Sequence, residues 1–177
     1  MSASSRRFYR LGTAAGLALA GFLTFSLGTP SAAGDAAGTA PDFARPALDG
    51  ASTVRLSTLR GKVVLLNFWA SWCGPCLKEM PRLSAWQREF GNSGLQVLGV
   101  SMDDDAVPVR RLLARQPVSY PVIMGDAELG RTYGGVLGLP VSFLIDTEGR
   151  IVARLQGETD LYQLEARIKV LLPRRAQ

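Results

Sequence analysis

The sequence has no histidine and only two cysteines, Cys73 and Cys76, among its 177 residues. A zinc site needs about four ligands of cysteine, histidine, carboxylate or water type. Two cysteines without a histidine argue against a zinc half-site. A purely structural disulfide across two intervening residues would close a very small loop and would restrict the unfolded chain little. The cysteine pair therefore favours redox chemistry.

Residues 1–33 contain neither an acidic residue nor a lysine. Three arginines precede an uncharged apolar stretch at residues 14–27, and small residues follow up to Ala33, which is the organisation of a cleaved export signal. The uncharged run at residues 11–34 is also long enough to span a membrane, so an uncleaved anchor is the alternative. No cysteine follows the apolar stretch, which excludes a lipoprotein anchor. We expect a periplasmic or other extracytoplasmic, oxidising location.

The net charge of +5 depends partly on this leader. Without its three arginines, 17 basic residues remain against 15 acidic residues, which leaves +2. Such a balance does not indicate a nucleic-acid-binding surface. We divide the chain into a signal peptide or membrane anchor at residues 1–33, a flexible linker at residues 34–41, and one domain at residues 42–173.

The two cysteines lie between a strand pattern and a helix pattern. Residues 63–70 form a β-branched and aromatic run typical of a buried strand, and residues 77–86 are apolar at helical spacing. Cys73 would then lie at a helix N-terminus, where free N–H groups and the helix dipole stabilise a thiolate. We expect Cys73 to be the exposed nucleophile and Cys76, one turn later, to be the buried resolving cysteine.

The rest of the domain alternates strand and helix patterns. A strand followed by a helix and a second strand predicts a parallel, right-handed crossover. Three consecutive aspartates at residues 103–105 are interpreted as a cap on the solvated end of a helix that runs to about Arg115. Strands are predicted at residues 53–56, 95–101, 120–124, 138–146 and 151–155, and further helices at 128–133 and 161–171.

Five sequence motifs carry a family resemblance. They are Pro41-Asp42-Phe43, Leu59-Arg60-Gly61-Lys62, residues 67–76, Glu79-Met80-Pro81 and residues 138–146. With these motifs the chain resembles the thioredoxin superfamily, and within it the exported TlpA/ResA/DsbE (CcmG) branch, from Pro41 to about Leu172. The resemblance implies an α/β, thioredoxin-like fold: a central mixed β-sheet flanked by helices, with extra N-terminal strands and a central strand–helix insertion.

The same resemblance implies the site residues. Cys73 and Cys76 would be catalytic, and Glu79 would be the acid that this branch places near the cysteines and that takes the proton of Cys76. Thioredoxin has a buried aspartate where this chain has Asn67, which cannot take a proton. The alternative for Glu79 is an ordinary favourable acid in the first turn of a helix. The expected partner-binding residues are Trp72, Gly74, Pro75, Leu139 and Pro140, with a cis Leu139–Pro140 bond facing the cysteines.

The implied activity is thiol–disulfide exchange, most simply the reduction of protein disulfides, with no cofactor and no metal. Expected partners are disulfide-containing proteins, of the apocytochrome c or copper-site assembly type, and a membrane thiol transporter that donates electrons. Three alternatives remain open. The first is a disulfide oxidase or isomerase. The second is a peroxiredoxin-like peroxidase, although its Pro/Thr/Cys arrangement is absent. The third is a copper carrier, which in related proteins uses two cysteines and a histidine.

Overall fold

The apolar run predicted as a buried strand forms the middle of a six-stranded sheet. The computed structural model describes residues 38–173. The predicted signal or anchor and the first part of the predicted linker lie outside these residues and remain predictions. Between residues 38 and 173, no helix has both the length and the apolar character needed to cross a membrane.

The sheet is mixed, with strand order β1-β8-β7-β4-β5-β6. Strands β4, β5 and β6 are parallel, whereas β7, β8 and β1 each pair antiparallel to their neighbours. A separate hairpin pairs β2 with β3. The strands are β1 (Gly38–Thr39), β2 (Ala44–Pro46), β3 (Thr53–Arg55), β4 (Val63–Trp69), β5 (Leu95–Ser101), β6 (Val122–Met124), β7 (Val141–Ile145) and β8 (Arg150–Gln156).

Two hydrophobic cores lie on the two faces of this sheet. Every residue of β4 is buried, and its side chains alternate between the faces, as the pleat of a strand requires. One core takes side chains from three helices, α1 (Gly74–Phe90), α2 (Ala106–Arg115) and α4 (Leu161–Leu171). The other takes side chains from α3 (Ala127–Thr132) and from the segment that contains Phe43. Strand β4, which leads to the two cysteines, is therefore packed on both of its faces.

These elements confirm the predicted thioredoxin-like fold, with α2, β6 and α3 between β5 and β7, the part of the chain where the strand–helix insertion is predicted. Strand β5 has the predicted bounds, whereas β6 begins at Val122 because Pro121 has no N–H for a strand ladder. Helix α1 continues through Pro81. Residues within the predicted linker are ordered, since β1 pairs with β8 and Ala40 is buried. Backbone pairing needs no particular side chain, so this small-residue segment gave no strand signal.

The carboxylate of Glu165 on α4 binds side chains of α1 and so links the two helices. Glu165 accepts hydrogen bonds from the Trp86 indole N–H, at 2.9 Å, and from the Arg82 guanidinium, both on α1. Lys169 on α4 forms an ion pair with it at 2.7 Å. The hydrogen bonds from Lys169, Trp86 and Arg82 favour the charged form and lower the pKa of Glu165 to about 2.

We therefore expect Glu165→Gln to lower the free energy of unfolding at pH 7. A carboxyl whose pKa is lower in the folded than in the unfolded chain stabilises the fold above the unfolded value of 4.5. That stabilisation is lost as the pH falls from 4.5 towards 2. Denaturant unfolding over this pH range measures it, with Glu128→Gln, an exposed acid on α3, as the control. If the difference in the free energy of unfolding between Glu165→Gln and the unsubstituted protein stayed constant with pH, the charge of Glu165 would not be the cause of the stabilisation.

Candidate active site

The two cysteines lie where β4 gives way to α1. Cys73 is the N-cap residue of α1, and its Sγ accepts a hydrogen bond from the Cys76 backbone N–H at 3.3 Å. Pro75 lies in the first turn of the helix, where its missing N–H is no loss. A disulfide joins the two residues, whose Cα atoms are 5.3 Å apart. The helix N-terminus thus points at the sulfur of Cys73.

The expectation that Cys73 is exposed is wrong for this disulfide-bonded form. Cys73 is 6% exposed and Cys76 is 2% exposed, and both belong to the core beneath α1. The cause is the capping position, since the bond to Cys76 and the hydrogen bond from its N–H both hold Sγ against the helix. The neighbouring surface is open: Trp72 is 72% exposed, and Gly74 and Pro75 are also exposed.

A buried aspartate holds the loop that leads to Cys73. Asp103 accepts hydrogen bonds from the Ser71 N–H at 2.8 Å and from the Ser71 hydroxyl at 2.5 Å. The Ser101 hydroxyl donates to the same carboxylate at 2.8 Å. The interpretation of Asp103 as part of a solvated helix cap is therefore wrong. Asp105 caps α2 by accepting from the Val107 N–H.

The order of strands in the sequence predicts the contact between Asp103 and Ser71. Trp69 and Ser101, the last residues of the parallel strands β4 and β5, are paired partners. Residues that follow two neighbouring parallel strands emerge at the same edge of a sheet, which brings Asp103 to Ser71. The pattern of three aspartates suggested a helix cap so readily that this strand-end argument was missed.

The Pro140 loop reaches the same edge of the sheet. The Leu139–Pro140 peptide bond is cis, which confirms that prediction. Pro140 directly precedes β7, whose first residue, Val141, pairs with Phe68 of β4. Pro140 is buried and Leu139 is half-buried, whereas Leu137 is 82% exposed. Leu137 is an apolar surface residue, and its glycine-rich context in the sequence indicates only a turn.

Glu79 is a buried acid one helical turn after Cys76. It is 5% exposed, and its Oε1 accepts a hydrogen bond from the Thr159 N–H at 2.9 Å. Burial raises the pKa of the Glu79 carboxyl, the Thr159 N–H opposes that rise, and the negative charge of Glu158 adds to it. Asn67, also buried, donates from Nδ2 to the Ser142 hydroxyl at 2.9 Å. A buried carboxyl with a raised pKa therefore lies three residues after Cys76 on α1.

Within residues 38–173, no three or more of histidine, cysteine, aspartate and glutamate are grouped so as to hold a metal ion.

Comparisons with known proteins agree on the fold and on the chemistry. The model of the AhpC/TSA family matches residues 36–154. The thiol-disulfide oxidoreductase ResA of Bacillus thuringiensis subsp. konkukian is 34% identical over 135 residues, which cover 76% of this chain and 77% of ResA. The solved structure of a DsbE-type thiol:disulfide interchange protein from Chlorobium tepidum has a TM-score of 0.73 at 37% identity, covering 78% of this chain and 99% of that one. The exposed lipoprotein thioredoxin of Streptococcus pneumoniae has a TM-score of 0.64 at 31% identity, covering 74% and 100%.

We expect Asp103→Ala to destabilise the protein by about 1–3 kcal/mol, because the Ser71 N–H and the Ser101 hydroxyl would lose their acceptor. Urea unfolding measures the change. Asp104→Ala is the matched control, since Asp104 is the exposed neighbour and its removal should have little effect. Equal losses in the two variants would show that Asp103 does not hold the loop.

Proposed function

This chain belongs to the AhpC/TSA family and, within it, to the TlpA/ResA/DsbE branch, and from that membership we propose that it reduces disulfide bonds in partner proteins outside the cytoplasm. The chain is a thiol–disulfide oxidoreductase. The observation that carries the proposal is the joined Cys73–Cys76 pair at the N-terminus of α1, with the buried acid Glu79 one turn beyond it.

In the first step, the Cys73 thiolate of the reduced chain attacks one sulfur of the partner's disulfide. A bond forms between Cys73 and that sulfur, and the partner's second sulfur leaves as a thiolate, which takes up a proton. The Cys76 N–H, which donates to Cys73 Sγ at the start of α1, and the helix dipole favour the thiolate form of Cys73 over the thiol. The product is a mixed disulfide between the two proteins.

In the second step, Cys76 attacks the Sγ of Cys73. The Cys73–Cys76 bond forms, the mixed disulfide breaks, and the partner's first sulfur leaves with the electron pair. The partner has then gained two electrons and the chain has lost two. Cys76 is buried, so its proton needs a nearby acceptor, and the Glu79 carboxylate is the acceptor that we propose.

In this proposal the partner binds beside the cysteines, where Trp72 is exposed, Leu139 is half-buried and Pro140 is buried. Trp72, Gly74 and Pro75 lie on one side, and Leu139 and Pro140 precede β7 on the other. An extended partner segment could pair with the backbone there, as peptides pair with an exposed strand edge. Trp72 is the largest of these side chains, and its 72% exposure supports a role in contacts with a partner.

The N-terminal sequence, the relatives and the need for electrons support a proposed location and proposed partners for this chain. Residues 1–33 have the pattern of an export signal, and one structural neighbour is an exposed lipoprotein, which supports an extracytoplasmic site of action. An oxidised chain must regain two electrons in each cycle, which a membrane thiol transporter could supply. The cysteines of apocytochrome c or of a copper-site assembly protein are the substrates that we propose.

The activity named for the relatives favours thiol exchange over the peroxidase and copper-carrier alternatives. An oxidase uses the same exchange chemistry in the opposite direction, and an isomerase uses it without net transfer of electrons. The Gly-Pro pair between the cysteines matches thioredoxin, a reducing protein, and supports the reductase direction.

A trapping experiment tests the roles of the cysteines. With a disulfide-bonded Cys-x-x-Cys-His peptide as the probe, reduced Cys76→Ser should accumulate a one-to-one mixed disulfide, because Cys73 attacks and nothing resolves the product. Cys73→Ser should form none. Intact-protein mass spectrometry under non-reducing conditions measures both. If Cys73→Ser formed the adduct and Cys76→Ser did not, the assignment of nucleophile and resolving residue would be reversed.

Glu79→Gln tests the proton acceptor. We expect the second step to slow by about 100-fold, the lower end of general-base effects. In the unsubstituted protein the rate should fall as the pH drops through the raised pKa of Glu79, and this dependence should vanish in the variant. Stopped-flow fluorescence of Trp72 measures the rate, with Glu89→Gln as the control. An unchanged pH profile in Glu79→Gln would remove Glu79 from the mechanism.

A further inference from the structure

We propose that Leu137 is a specificity-determining residue of this chain: its exposed side chain packs against an aliphatic residue of the partner protein, close in sequence to the cysteine that Cys73 attacks. Gln156 and Arg154 are positioning residues, because they hold the backbone that presents Leu137. The inference rests on the proposed reduction of partner disulfides and adds a preference among those partners.

The backbone turns Leu137 away from the protein, whereas its apolar neighbours pack on the interior. Val136 packs against the core that contains α3, and Leu139 packs against both cores. Leu137 between them is 82% exposed. Gly138 has a φ of +85°, and a Cβ there would meet no atom of residues 38–173 within 4 Å, so the backbone conformation rather than crowding favours glycine. This turn separates one outward leucine from two inward side chains.

Side chains of β8 hold the backbone of this turn. Gln156 donates from Nε2 to the Leu137 carbonyl at 2.8 Å, and the Arg154 guanidinium donates to the Gly135 carbonyl at 2.9 Å. Arg154 is itself placed over the ring of the buried Phe143, with its Cζ 5.8 Å from the ring centroid. The turn is therefore bonded to a strand of the central sheet on both sides of the residue before Leu137.

The fixed backbone is what gives the exposed leucine a use in binding. A single exposed leucine is ordinary on a protein surface and indicates nothing by itself. A side chain on an ordered backbone, however, loses less conformational entropy when a partner covers it. Among residues 38–173, six large apolar side chains are exposed; four lie within α2, β8 and α4, and the two on loops are Trp72 and Leu137. Both of these loops lead to the edge of the sheet that carries the cysteines.

The position of Leu137 also sets which partner residue would contact it. Pro140 precedes β7 at the same edge of the sheet as Cys73. Leu137 comes three residues before Pro140, which is at most about 11 Å of chain. An extended partner segment advances by about 3.3 Å per residue, so three of its residues cover that distance. The aliphatic contact therefore falls about three residues from the partner's reacting cysteine.

The test is a competition between two synthetic peptides that share a disulfide-bonded Cys-x-x-Cys-His core. They differ only at the third residue before the first cysteine and the third residue after the second, which are leucine in one peptide and serine in the other. The reduced, full-length chain should reduce the leucine peptide about tenfold faster, the factor expected from partial burial of one leucine side chain. Mass spectrometry of the two products measures the ratio of the rates.

Two variants test the roles of the individual residues. In Leu137→Ser the ratio should fall to about one, and Gln156→Met, which keeps the length of the side chain but loses its N–H donors, should lower it part of the way. With the leucine peptide, Gln156→Met should raise the half-saturating concentration and not the rate at saturation, whereas damage to the cysteine site would lower that rate. Val170→Ser is the matched control, because Val170 is an exposed aliphatic residue near the C-terminal end of α4, and it should keep the ratio.

The outcomes separate this inference from the proposed function. If the unsubstituted chain reduces both peptides at the same rate, or if the preference persists in Leu137→Ser, the inference about Leu137 is wrong and the reduction of disulfides stands. If neither peptide is reduced, the proposed function fails and the inference fails with it. Analytical ultracentrifugation tests the other occupant: a dimer that Leu137→Ser dissociates would show that a second copy of the chain, and not a partner, covers Leu137.

Discussion

The pairing of β4 with both of its neighbours is the constraint on which the rest of the site depends. Parallel pairing with β5 places Trp69 beside Ser101, and antiparallel pairing with β7 places Phe68 beside Val141. The residues that follow β4 and β5 and precede β7 therefore meet at one edge of the sheet. This edge carries Cys73, Asp103 and Pro140. A slip of one residue in either register would turn the buried side chains of β4 to the wrong face.

Burial then determines the chemistry available at that edge. The sulfur of Cys76 and the carboxyl of Glu79 both lie in the core beneath α1, where a charge is costly unless a hydrogen bond or a neighbouring charge supports it. The start of α1 supports negative charge on Cys73, whereas Glu79 receives one N–H bond and keeps a raised pKa. The geometry thus places a nucleophile whose charged form is favoured a few residues from a carboxyl with a raised pKa.

Much of this could be predicted from the sequence, since the local patterns were strong. Local patterns predicted the buried strand β4, the redox-active cysteine pair and the helix α1. The cis bond before Pro140 was predicted from the family resemblance. The contacts that were missed join residues far apart in the chain. Asp103 reaches Ser71 because β4 and β5 end side by side, which strand pairing rather than any local pattern predicts, whereas Thr159 reaches Glu79 across 80 residues with no sequence pattern that predicts the contact. The burial of Cys73 was missed for another reason: as the N-cap residue of α1 it is bonded to Cys76, and the spacing alone does not specify how far its side chain is covered.

The reduction potential of the Cys73–Cys76 pair tests the central claim most directly. The full-length chain would be equilibrated in thiol redox buffers, with the fluorescence of Trp69 and Trp72 reporting the fraction oxidised. A disulfide reductase requires a strongly reducing pair, so we expect a potential near or below about −230 mV, in the range of thioredoxin and the glutaredoxins. A potential near about −120 mV, that of DsbA, would make the chain an oxidant and contradict the proposed direction of the reaction.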